Sequence, residues 1–252
     1  MNSNRAKIVF DLLSLSHEFG QGGLVILGEG NVSARLSEST FLVKASGTSL
    51  GTLVEEHLTE CRFDQLLSFF DDKPVSDAEV ETALLAARVD PAGLKPSVET
   101  FFHAFLLSLP DVRFVGHTHP IAVNQILCTS HASDFSQQRQ CPDEVVCCGP
   151  VSLLIPYVDP GLALAKEIRD ELVSFQAQHG KLPRVILLKN HGVITLGSSV
   201  QAVRAAMLMT VKAAEIYVGA QQLGNKAHLP DNEVTRIESR QDEEYRRKML
   251  RI

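Results

Sequence analysis

Two strand pairs joined by very short turns constrain this chain more than anything else in it. Val32–Leu36 and Thr40–Lys44 are β-rich segments separated only by the polar run Ser37-Glu38-Ser39. Val185–Lys189 and Val193–Leu196 flank a tight turn at His191-Gly192. A connection this short joins antiparallel neighbours, because parallel strands need a crossover of a dozen or more residues. These hairpins argue against a purely parallel sheet. Around these hairpins lie segments with helical periodicity: Ala6–Phe19 stopped by Gly20, Asp77–Arg88, Leu162–Gln178 closed by Gly180, and Val200–Gln222. Shorter helices are expected at Ile121–Thr129 and from Ser97, as N-cap, to about Leu109. Single strands are expected at Arg113–His119 and Val151–Pro156. The spacing predicts a central, mostly antiparallel sheet flanked by helices.

No linker or repeat divides the 252 residues, so one domain spanning 1–252 is expected, with a charged C-terminal helical tail at about 231–252. Ser130–Asp143 is polar and reads as a mobile loop. Hydrophobic residues make up 44% and charged residues 21%, the balance of a soluble globular protein. With a formal charge of −6 and no Lys/Arg run, the chain lacks the basic face of a nucleic-acid binder. No apolar run is long enough to span a membrane, and the N-terminus carries no secretory pattern. The five cysteines form no C-x-x-C pair and read as reduced thiols of a cytoplasmic protein.

The chemistry is carried by Gly116-His117-Thr118-His119-Pro120. Side chains in a strand repeat with period two, so His117 and His119 point to one face, their Cα atoms roughly 6.7 Å apart. His191 sits in the hairpin turn, where Gly192 allows unusual backbone angles. Glu99 opens a helix just upstream of the pair. Three imidazoles and a carboxylate suit Zn²⁺ or another divalent transition metal such as Mn²⁺ or Co²⁺. His103, four residues after Glu99 on the same helix face, is open to three readings: ligand, support for a ligand, or packed side chain. The remaining histidines have no partner in the sequence. Two glycine-rich turns, Gly28-Glu29-Gly30-Asn31 and Ala45-Ser46-Gly47-Thr48, and Ser97 at a helix start could each hold an anion.

Gly30-Asn31-Val32-Ser33-Ala34-Arg35, Ser46-Gly47-Thr48, Pro96-Ser97-Val98-Glu99, His117-Thr118-His119-Pro120 and Asn190-His191-Gly192 occur in an order that resembles the class II aldolase/adducin family, from about residue 5 to 220. The resemblance implies an α/β fold of three α/β/α layers about a mostly antiparallel sheet. It implies a homotetramer acting on a sugar or sugar-phosphate substrate. It implies a metal at His117, His119 and His191, with Glu99 as ligand or acid/base, and substrate contacts at Asn31, Ser46, Gly47 and Ser97. Tyr245 matches the family's second catalytic tyrosine loosely. Two departures stand out. Val98 replaces a serine that donates to phosphate in the fuculose-phosphate type, and Ser130–Asp143 contains no tyrosine. The expected activity is metal-dependent aldol cleavage through a stabilised enediolate. A decarboxylase or 4-epimerase would use the same scaffold, and a non-catalytic adducin-like scaffold is the alternative of another class. Retention of all three histidines argues against the last.

Overall fold

A computed structural model of the protein describes residues 3–71, 73–224 and 227–252. Its contacts group into two compact units, Met1–Val115 with Val158–Asp170, and Gly116–Tyr157 with Glu171–Ile252.

The first unit opens with α1 (Ser3–Gln21), which buries Ile8, Leu12, Leu15 and Phe19 along one stripe. Gly20 was expected to stop this helix, yet it lies inside it. A Cβ there would sit 2.1 Å from the backbone nitrogen of Gly51, so the missing side chain lets two backbones meet. Strands β1 (Asn31–Arg35), β2 (Thr40–Lys44) and β3 (Leu58–Arg62) form an antiparallel meander, with Ala34 opposite Leu42 and Leu42 opposite Glu60. The first turn is closed by Ser37 Oγ, which accepts from the backbone N–H of Ser39 and Thr40 at 3.1 and 2.9 Å. The third strand was not foreseen from the sequence. Helices α2 (Phe63–Leu67), α3 (Asp77–Ala87) and α4 (Thr100–Ser108) follow. Ser76 and Glu79 form a complete capping box on α3. Ser97 is not the cap of α4, whose first helical residue is Thr100; instead the Ser97 carbonyl accepts from Thr100 N–H at 3.0 Å. Strand β4 (Phe114–Thr118) begins in this unit and ends in the next.

In the second unit come α5 (Ile121–Leu127), α6 (Ala132–Gln137), α7 (Pro142–Cys148), β5 (Leu153–Ile155), β6 (Val185–Leu188), β7 (Gly192–Gly197), α9 (Val200–Leu223), α10 (Asp231–Glu238) and α11 (Gln241–Leu250). The long α8 (Leu162–His179) lies between β5 and β6 in sequence. That length of connection lets β5 pair parallel with β6, whereas the β6–β7 hairpin is antiparallel. Among the described residues the strand order is β3-β2-β1-β4-β7-β6-β5, a mixed sheet in which antiparallel pairs predominate.

Successive strand residues point to opposite faces. Val32, Ser33 and Ala34 are all fully buried, as are Phe41 to Val43 and Val185 to Leu187. Both faces are thus covered, which makes the α/β architecture three-layered.

Two further expectations fail here. Ser130–Asp143 is not a loop but holds α6 and the start of α7. Its polar composition concealed a helical stripe, Ala132, Phe135 and Ser136, and the buried Arg139, whose Nε donates to Gly149 O at 2.7 Å. The tail is two helices rather than one, broken between Glu238 and Gln241.

Candidate metal centre and anion-binding turns

β4 ends one residue earlier than its sequence suggests, so His117 is in the strand and His119 just beyond it, before Pro120 caps α5. The buried His117 ring donates from Nδ1 to the Val193 carbonyl of β7 at 3.0 Å. That bond fixes the tautomer and leaves Nε2 as a lone-pair nitrogen. His119 Nε2 lies 2.9 Å from it.

His191 belongs to the β6–β7 turn. The turn's left-handed residue is Asn190, with φ of 56°, rather than Gly192. Asparagine tolerates that region better than most residues. The turn is pinned from α5, where Asn124 Nδ2 donates to His191 O at 3.0 Å. Gly192 serves a different purpose from the one expected of it. A Cβ at this position would meet Thr118 O at 2.5 Å, His119 Cδ2 at 2.7 Å and His117 Cε1 at 3.3 Å. Only a glycine lets the turn reach the other two rings. Ring centroids are 4.7 Å apart for His117–His119, 4.9 Å for His117–His191 and 5.0 Å for His119–His191. Each of the three imidazoles offers a nitrogen within 4.8 Å of the others.

Two nitrogens on a tetrahedral zinc at about 2.0–2.1 Å would stand about 3.3 Å apart. The 2.9 Å between the two Nε2 atoms is close to that. Without an ion one ring must donate a proton to the other. The donor set is nitrogen-only among these three residues, which fits zinc or a similar borderline metal.

The two glycine-rich turns expected to hold an anion lie in the first unit. Asn31 Nδ2 donates to Ser97 Oγ at 3.0 Å, and Ser46 N–H donates to Lys95 O at 2.9 Å, so the segments around residues 31, 46 and 97 come together. Gly47 has φ of 76°, which accounts for glycine at the tip. Asn31 Oδ1 is buried and has no hydrogen-bond partner among the described residues. Glu99 immediately precedes α4. Val98 lines a cavity of about 520 Å³ with Val75, Val80, Gly161, Leu162 and Lys166.

His103 is fully buried, bonded through Nδ1 to Ser33 Oγ at 2.6 Å and stacked on Phe102. It holds α4 against β1 and is not one of the converging imidazoles. Tyr245 is 66% exposed on α11.

The residue that sequence reasoning missed is Lys44. It is 2% exposed at the end of β2, and its ammonium donates to Thr48 O at 2.8 Å and Gly28 O at 3.2 Å. Burial pushes its pKa below the ordinary lysine range, and the Glu99 carboxylate offsets part of that. A lysine following Phe41-Leu42-Val43 and preceding Ala45 was the available signal, since lysine is almost never buried without a reason.

A family model described as Class II Aldolase and Adducin N-terminal domain matches residues 10–218. The chain is 29% identical over 232 residues to a 3-oxo-tetronate 4-phosphate decarboxylase of Haemophilus influenzae, covering 91% of this chain and 95% of that one. It is 27% identical over 199 residues to an uncharacterized oxidoreductase, YuxG, of Bacillus subtilis. That match takes in 76% of this chain but only 26% of the longer protein. Among solved structures, the N-terminal class II aldolase domain of a conserved protein from Thermoplasma acidophilum superposes with a TM-score of 0.68 at 28% identity, over 83% of this chain and 93% of that one.

Proposed function

The chain belongs to the class II aldolase and adducin family, and from that premise we propose that it is a metal-dependent carbon–carbon lyase. Its substrate is a ketose or sugar-phosphate-like molecule. The observation that carries this reading is the convergence of three imidazole nitrogens from β4 and the β6–β7 turn.

In this reading His117, His119 and His191 hold a divalent ion, zinc first, with manganese or cobalt as substitutes. Glu99 completes the ligand set or moves a proton at the carbon next to the substrate carbonyl. The ion supplies Lewis-acid stabilisation of negative charge developing on substrate oxygen. Asn31, Ser46, Gly47 and Ser97 grip the anionic end. Ser97 Oγ accepts from Asn31, so its own O–H is available to donate outward. The Asn31 Oδ1 atom is an acceptor for a substrate hydroxyl. Tyr245 is assigned as a further acid/base group. The whole chain acts as one functional domain, as a homotetramer in the cytoplasm. No helix among the described residues is long and apolar enough to cross a membrane.

Decarboxylation of a phosphorylated keto acid is the second reading, favoured by similarity to the Haemophilus influenzae protein along nearly its full length. It would use the same residues on a carboxylated substrate.

The test is cleavage of a panel of sugar phosphates and phosphorylated keto acids with Zn²⁺, Mn²⁺ and Co²⁺, read by mass spectrometry. Two carbonyl fragments identify aldol cleavage, and loss of CO₂ identifies decarboxylation. Where Glu99 moves the proton, Glu99→Gln should lower the rate by about 10²–10⁴ at unchanged metal content, and where it is a ligand, metal content should fall as well. An undiminished rate in that variant removes Glu99 from the chemistry. Protein that takes up no divalent ion removes the enzyme reading altogether.

A further inference from the structure

His191 is brought to the other two imidazoles by a different route from theirs. His117 and His119 share the end of β4, and the His117 ring is fixed directly through Nδ1 by the Val193 carbonyl. His191 rides on a turn whose residue 190 is left-handed, a conformation that asparagine tolerates but does not enforce. Within the hairpin, His191 N–H donates to Leu188 O at 3.2 Å. That bond closes the turn but does not set its distance from β4.

The distance is set from outside the hairpin. β4 runs through His119 and Pro120 straight into α5. Two hydrogen bonds then join α5 to the turn. Asn124 Nδ2 donates to His191 O at 3.0 Å, and Asn190 N–H donates to Leu127 O at 3.3 Å. Asn124 is itself anchored in the helix, its N–H donating to Pro120 O at 2.9 Å and its carbonyl accepting from Cys128 N–H at 3.0 Å. One short stretch, 117–127, thus carries two of the imidazoles and grips the backbone of the third. Any residue at position 127 offers a carbonyl, whereas the bond from position 124 depends on its side chain. That side chain is also costly. Asn124 Oδ1 is buried and has no hydrogen-bond partner among the described residues. A buried amide left half unsatisfied is a poor stabiliser, and a leucine would fill similar space without the penalty.

We propose that Asn124 is the positioning residue of the third imidazole. By holding the His191 carbonyl to α5, it sets how closely His191 approaches His117 and His119. This rests on the reading of the three imidazoles as a metal centre. Ligand atoms must stand within about 0.2 Å of their places, and groups that orient ligands are worth about 10–100-fold in metal affinity. Asn124 acts through the His191 backbone, as Val193 acts on the His117 ring.

The experiment compares the full chain as wild type, Asn124→Leu and Asn124→Ser. Leucine keeps the volume without the donor. Serine, too short to reach the carbonyl, guards against misfolding of the leucine variant. Zinc affinity is measured by chelator competition, the ligand set by the visible absorption of the Co²⁺-loaded protein, and stability by melting the metal-free protein. Both variants should bind zinc about tenfold or more weakly, with a Co²⁺ spectrum altered by loss of His191 from the ligand set. Metal-free Asn124→Leu should melt close to wild type, because the lost hydrogen bond is offset by removal of the unpartnered oxygen. Zinc affinity unchanged in both variants, whatever their melting temperatures, overturns the proposal and leaves the metal centre standing. Weaker binding with an unaltered Co²⁺ spectrum overturns it too, since all three imidazoles would still reach the ion. Wild type that takes up neither ion sinks the metal reading and the role of Asn124 with it.

Discussion

Gly192→Ala is the sharpest test of how the three imidazoles are brought together. The new methyl would lie 2.5 Å from Thr118 O and 2.7 Å from His119 Cδ2. Carbon atoms sit comfortably at about 3.5–4.0 Å from their neighbours, so about 1 Å of clearance is missing on two sides. One of those sides is backbone and cannot rotate away. Either β7 backs off from β4 or the His119 ring swings aside. Overpacking of this kind costs about 1–3 kcal/mol, equivalent to a melting temperature lower by roughly 2–12 °C in a chain of this size. Metal ligands tolerate only about 0.2 Å of misplacement, so zinc affinity should fall by about 10–100-fold. Affinity is measured by competition with a chromophoric chelator, and stability by thermal melts with and without zinc. Wild type should gain stability with zinc by mass action, and the variant should gain little at the same concentration. A variant that binds zinc within twofold of wild type and melts at the same temperature would refute the steric account of Gly192.

Two further outcomes follow from buried groups. Burial pushes the thiols of Cys61 and Cys148 up to about 12. A raised pKa contributes stability that is fully present below the unfolded thiol value near 8.5 and is lost as pH rises toward 12. Each thiol should therefore subtract up to about 1.4 kcal/mol per pH unit above about pH 9. Urea midpoints between pH 8 and 10.5 should fall more gently in Cys148→Ala than in wild type, and parallel slopes would contradict the burial argument. Ser33→Ala removes the partner of His103 at 2.6 Å and should cost about 1–3 kcal/mol in denaturant titrations. Its uptake of added zinc should be untouched, and a lowered uptake would favour the ligand reading of His103.

The hairpins and the long helices were readable because each is a local pattern: period-two runs about a short turn, or an apolar stripe ended by glycine. The His117–His119 pair was readable for the same reason, since two residues of one strand end share a face whatever surrounds them. His191 was legible as a turn residue, but not the device that aims it. Gly192 attracted attention for its backbone freedom, whereas what matters is the space it leaves beside Thr118 and His119, some 70 positions away in the chain. Lys44 was missed for a similar reason. Its partners at Gly28 and Thr48 are carbonyls, which every residue has, so nothing in the sequence marks them. α6 was concealed by its polar composition, because Ser136 and Arg139 are buried through hydrogen bonds rather than apolarity.

The two helices of the tail cover apolar surface that the family match leaves out. The recognisable family region stops at residue 218, yet Val234 and Ile237 of α10 pack on Val145 and Val146 of α7. Arg246 of α11 also pairs with Asp143 at the start of α7. A protein trimmed to the family boundary would bare those two valines to water, and bared apolar surface invites self-association. The family match therefore marks out a shorter object than the one that keeps α7 covered, and the difference is the last 34 residues.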